Sequence, residues 1–221
     1  MPQRAMRPVL ALLSGVLLVL GGCLGTPPTR FYLLPTLMDV SAPAATGERA
    51  LTIGVSPVTL PPYLDRPQIV TRASHVQLHL AEFEQWAASL QDTVARVLAE
   101  NLSLLMPTAR VVLQPWPQTT EMDQQVLLEV TQFDRTMEGE AVLVARWSLL
   151  GATGQELTRR TARCSAPAGG PEYEATVTAM GRTLEALSRD IAATVQSLAH
   201  QAPMRESVSV CAPREVRVSC R

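Results

Sequence analysis

The chain has 221 residues, 47% of them hydrophobic and 18% charged, with nineteen basic against twenty acidic side chains for a net charge of -1. That supports one packed domain of ordinary size and argues against disorder and against the basic footprint of a nucleic-acid binder. All the basic residues are Arg, so there is no lysine for a P-loop, a Schiff base or a Ser-Lys dyad, and the three histidines, His75, His79 and His200, leave little for hydrolytic machinery.

Arg4 and Arg7 precede an apolar run from Val9 to Leu20 that only Ser14 and Gly15 interrupt. As a helix it would rise about 18 Å, against a hydrocarbon core of about 30 Å, so it reads as a signal segment rather than a membrane span. It ends in Leu20-Gly21-Gly22-Cys23, which resembles a bacterial lipobox: an apolar residue, two small ones, and the cysteine that is acylated. The division expected is a signal peptide over 1–22, a lipidated Cys23 with its tether over 23–29, a folded domain over 30–200 and a tail over 201–221. Loss of 1–22 leaves seventeen basic and twenty acidic residues, a net charge of -3. Leu24, rather than Asp, follows the cysteine, which by the usual sorting rule points to the periplasmic face of the outer membrane. The tether Leu24–Thr29 reaches about 20 Å when fully extended, so the domain must lie close to the bilayer.

Phe31–Leu34 reads as a short strand stopped by Pro35, and 39–49 as loop. Leu51, Ile53 and Val55 alternate in a half-buried strand that ends at Pro57. Pro61, Pro62 and Pro67 frame a stiff loop around Tyr63-Leu64-Asp65-Arg66. Segments 68–72 and 76–80 form a hairpin pair. From Glu82 a period of 3.6 predicts a helix with Trp86, Leu90, Val94, Val97, Leu98, Leu102 and Leu105 on one face, stopped by Pro107. Val111–Leu113 is a short strand. Alternation in 126–130 and 143–149, with a turn at 138–140, predicts a hairpin, and 156–165 is its third strand. Pro171 opens the clearest amphipathic helix, Tyr173 to Leu198, ended by Pro203.

The resulting fold class is α+β: a mainly antiparallel mixed sheet with two amphipathic helices packed on one face. Val142 and Val144 are expected to leave apolar surface on the other face, which would favour self-association. Cys164 reads as a small core residue. Cys211 and Cys220 lie in the tail, and spacing does not decide whether they pair.

No catalytic set emerges. His75 and His79 would stand about 13 Å apart on a strand and have no third ligand, so neither metal nor cofactor is expected. Glu82, Glu84, Glu121 and Asp123 read as solvated acids at a helix start or in a loop. Arg159, Arg160 and Arg163, with Arg146 beside them, could meet lipid phosphates or an acidic partner, or simply form a charged sheet face.

One stretch carries more. LPPYLDRPQIVTR over 60–72, LAEFEQWA over 80–87 and VLAENL over 97–102, with Phe31-Tyr32-Leu33 soon after Cys23, resemble the PqiC-like auxiliary lipoproteins of bacterial transport systems. The likeness spans about residues 23–200 and departs at Gln85 and Ala88-Ser89, where the pattern has Arg and Glu-Pro. It implies a non-enzymatic, outer-membrane docking component of a mammalian-cell-entry (MCE) type lipid-transport system that maintains envelope integrity. It also implies an MCE-domain partner and a homo-oligomer to match a ring-shaped or tubular partner. Tyr63, Leu64, Asp65 and Arg66 are the candidate partner contacts, and Cys23 the lipidation site. A stand-alone envelope lipoprotein and a periplasmic hydrolase are the alternatives.

Overall fold

The computed structural model describes residues 27–37, 51–117 and 119–206. Cys23 with its leader, the 39–49 loop, and the tail holding Cys211 and Cys220 lie outside the described residues. The elements are β1 (Arg30–Tyr32), β2 (Thr52–Val55), β3 (Gln68–Arg72), β4 (Leu78–Trp86), α1 (Leu90–Leu105), β5 (Arg110–Leu113), β6 (Gln124–Arg135), β7 (Glu140–Gly151), β8 (Glu156–Pro167) and α2 (Tyr173–Glu206). Among the described residues no helix is long and apolar enough to cross a membrane.

The α+β class stands, with eight strands in one mixed sheet among the described residues. Long antiparallel ladders join β6 to β7 and β7 to β8, and β3 pairs antiparallel with β4. The shorter pairings, β1–β4, β2–β5, β2–β6 and β3–β6, are parallel. β2 and β3 lie one after the other along the same edge of β6, bridged midway where Thr59 pairs with Glu129. The proline-framed loop is the insertion between that bridge and β3.

Alternation dictates which side of β6–β8 is covered. Val126, Leu128 and Val130 of β6 and Leu143, Ala145, Trp147 and Leu149 of β7 are buried against the helices. The β6–β7 register slips between Val130 and Gln132, leaving Thr131 unpaired as a bulge. Without that extra residue, Gln132 would point inward and Phe133 outward. With it, Phe133 is buried in the core and Asp134 turns to the other face. α2 supplies the matching stripe, Val177, Met180, Leu184, Leu187, Ile191 and Val195, all buried, and α1 adds Val94, Val97, Leu98 and Leu102. Full burial of one such side chain is worth about 1.5–3 kcal/mol. Asn101 of α1 donates to Ser188 of α2 at 3.2 Å and accepts the Leu37 N–H at 2.9 Å, tying the segment after β1 onto both helices. Gly181 permits that approach, since a Cβ there would come within 2.4 Å of the Pro35 ring.

Three sequence expectations need correction. The first helix starts at Leu90, not Glu82, because 82–86 continue β4 and 84–86 pair with β1, while Ser89 caps the helix by accepting the Asp92 N–H. α2 runs through Pro203 to Glu206; a proline removes one backbone donor and strains its turn without forcing the helix to stop. Val142 is only 1% exposed, so the apolar patch expected on the second face is absent there. Its register partner is the buried Asp134, and the cluster gathered on Asp134 closes that end of the face.

Candidate functional site

The second sheet face carries Leu127, Glu129 and Asp134 of β6, Arg146 and Ser148 of β7, and Arg159 and Arg163 of β8. It has two parts, an anchored loop alongside the C-terminal half of β6, between the Thr59–Glu129 bridge and the Thr71–Arg135 pair, and an open groove beside it.

The loop is built inward from its prolines. The Leu64 N–H donates to the Pro61 carbonyl and the Arg66 N–H to the Leu64 carbonyl, both at 2.9 Å, and the Trp86 N–H donates to the Pro67 carbonyl at 2.7 Å. These bonds roll Leu64 into the core, where it is 2% exposed. The half-buried Tyr63 donates its hydroxyl to Asp134 Oδ2 at 3.3 Å. Asp134 is wholly buried and accepts two more bonds, from Arg72 Nε and Gln132 Nε2, each at 2.9 Å. A buried carboxylate held by a guanidinium and two neutral donors is a well-satisfied anchor.

Of the four expected contact residues, then, Tyr63 and Leu64 hold the loop down. Asp65 is exposed, and the half-buried Arg66 leaves its Nε buried without a hydrogen-bond partner. What the loop offers outward is the Asp65 carboxylate and the end of the Arg66 side chain.

Burial, reinforced by the negative charge of Asp134, pushes the Tyr63 phenol from its ordinary 10.0 up to about 12. The neutral phenol is therefore favoured by folding. Its contribution is complete below pH 10 and is lost as pH rises from there through about 12. In urea unfolding, Tyr63→Phe should flatten the loss of stability expected of the parent between pH 10 and about 12; an unchanged profile would contradict the Tyr63–Asp134 contact.

The groove has a volume of about 550 Å³ and is lined by Ser56, Pro57, Thr59, Leu127, Glu129, Arg146, Ser148 and Arg159 among others. Arg146 and Glu129 pair across β6 and β7 at 2.7 Å, and Gln125 donates to Ser56 at 2.6 Å. Arg159 is held by Glu156. It is an open trough of mixed lining, with Leu127 and Pro57 as exposed apolar members. Chemically it can hydrogen-bond and ion-pair with a partner surface.

A second cluster clamps the start of the domain. Glu84, buried on β4, accepts from the Arg30 guanidinium, with Nε at 3.0 Å, and from the Tyr32 hydroxyl at 2.6 Å. The Arg30 hydrogen bond holds the Glu84 carboxyl below the usual range. The helical period from Glu82 hides this clasp in the sequence, because Glu84 lies on β4 instead.

The other candidates separate. Arg160 points to the helix side, pairing with Asp190 at 3.4 Å and lying 5.7 Å over the Trp147 ring, while Arg159 and Arg163 point the opposite way. His75 sits exposed in the β3–β4 turn and His79 on β4. Cys164 is half-buried against the core, and burial, with Asp190 nearby, raises its thiol.

Comparison with known proteins adds an independent observation. A family model described as ABC-type transport auxiliary lipoprotein component matches residues 32–192. The Escherichia coli protein named intermembrane transport lipoprotein PqiC is 30% identical over 142 residues, covering 63% of this chain and 73% of that protein. A crystal structure of an uncharacterized protein superposes with a TM-score of 0.65 at 22% identity, covering 76% of this chain and 99% of that one. A Xanthomonas campestris protein does so with 0.64 at 15%, covering 79% and 99%. At those identities the two structures speak for the fold alone.

Proposed function

We propose, from the premise that the chain belongs to the family of ABC-type transport auxiliary lipoprotein components, that it is the outer-membrane-anchored docking component of an MCE-type intermembrane lipid-transport system. The family is one of transport components rather than of enzymes. Acylated Cys23 holds the domain on the periplasmic face of the outer membrane, and an MCE-domain protein of the same system is the partner. Self-association accompanies this reading, because sharing one membrane plane raises effective concentration. With Val142 buried, the apolar patch expected around it does not serve that contact.

The observation that carries the docking role is the loop itself. Three prolines and the Tyr63–Asp134–Arg72 anchor hold it in one shape, so little entropy is lost when a partner engages it. It presents Asp65 and Arg66 beside an open groove of mixed lining. The test is the double variant Asp65→Ala with Arg66→Ala, crosslinked in intact envelopes beside the parent. Recovery of the MCE-domain protein should fall roughly tenfold or more, as for a contact at the centre of an interface, with an unchanged unfolding midpoint. Unchanged recovery would reduce the prolines to a tight connection.

A further inference from the structure

The β3–β4 and β6–β7 turns lie side by side at one end of the sheet, where Thr71 pairs with Arg135. The Ala168 N–H donates to the Gly139 carbonyl at 2.9 Å and brings the segment after β8 to the same end. The two turns carry large apolar side chains with little cover: Val76 is 96% exposed and Met137 59%. Between them is a cavity of about 270 Å³ whose lining includes Arg72, His75, Glu138 and Arg163. Glu138 beside the two arginines means the end is not a basic patch, so its distinguishing feature is the pair of apolar tips.

The course of the chain supplies the occupant. β1 runs parallel to β4 with Arg30 opposite Glu84, so the chain entering Arg30 comes from the direction of Leu78 and this end. From Glu84 back to Leu78 is about 20 Å at strand rise. The six residues between Cys23 and Arg30 also reach about 20 Å. The tether is therefore long enough to bring an anchor at Cys23 level with the two turns.

We propose that this end of the sheet rests on the phospholipid surface, with Val76 and Met137 entering the lipid interface and Arg72, His75 and Arg163 at headgroup level. The proposal rests on the reading that Cys23 is the lipid anchor. It fixes the orientation of the domain: the β7–β8 turn, at the other end of twelve-residue strands, points into the periplasm, and the loop and groove stand on the side between. Two apolar tips would bind a membrane weakly alone, but tethering makes their contact intramolecular.

The test uses the full lipidated chain in vesicles of phosphatidylethanolamine and phosphatidylglycerol, with and without brominated acyl chains. Val76→Trp and Met137→Trp are compared with Ala152→Trp in the β7–β8 turn, each corrected for the parent's native tryptophans. Brominated lipid should remove roughly half of the added emission at the first two positions and almost none at the third. Equal quenching at all three, or none at Val76→Trp in protein that floats with the vesicles, would overturn the orientation while leaving the anchor intact. Failure of the parent to float would overturn the anchor reading and this proposal with it.

Discussion

Asp134→Ala should destabilise the domain by about 3–5 kcal/mol, the range for removing one partner of a buried ion pair. The carboxylate is wholly buried, and its loss strips acceptors from Arg72, Gln132 and Tyr63 together. Arg72 is 26% exposed and can turn to water, which places the expectation toward the lower end. The damage should be local in character as well, because Tyr63 is the loop's polar tie to the sheet. Asp134→Asn keeps the shape and one acceptor oxygen and should lose less. Urea unfolding of both variants measures this; a loss under about 1 kcal/mol for Asp134→Ala would mean that the cluster is replaceable by solvent.

Cys23→Ser is expected to leave a folded domain that no longer fractionates with membranes. Among the described residues the first strand is held by Arg30 and Tyr32 on Glu84 and the core begins at Leu34, so the described fold is secured from within itself. The two apolar turn residues alone would not hold the domain against a wash, whereas several acyl chains would. Nearly all of the variant should appear in the soluble fraction. Retention in outer membranes after a salt wash would contradict the anchor.

The regular parts of this fold were legible in residues 126–198. Alternation in β6–β8 and the stripe on α2 each point one face at a common core, and Gly139 and Gly154 take positive φ in the turns between strands. The 82–86 segment misled because Trp86 falls four residues before Leu90 and fits a helical stripe. Tertiary pairing with β1 overrode that period, although Ser89, three residues before Asp92, was a readable cap. Asp134 was invisible for a different reason. A bulge at Thr131 reverses which residues face inward, and nothing local in the sequence marks it. For the same reason the loop's prolines were recognisable but its division of labour was not. Whether Tyr63 points out or in depends on a carboxylate seventy-one positions away.

Docking within a transport assembly is tested by purifying the native lipoprotein from crosslinked, intact envelopes and identifying what is covalently joined to it. An MCE-domain protein is expected in the crosslinked species, and is expected to be lost when Asp65 and Arg66 are replaced. Recovery of the lipoprotein alone, or joined solely to copies of itself, would contradict it.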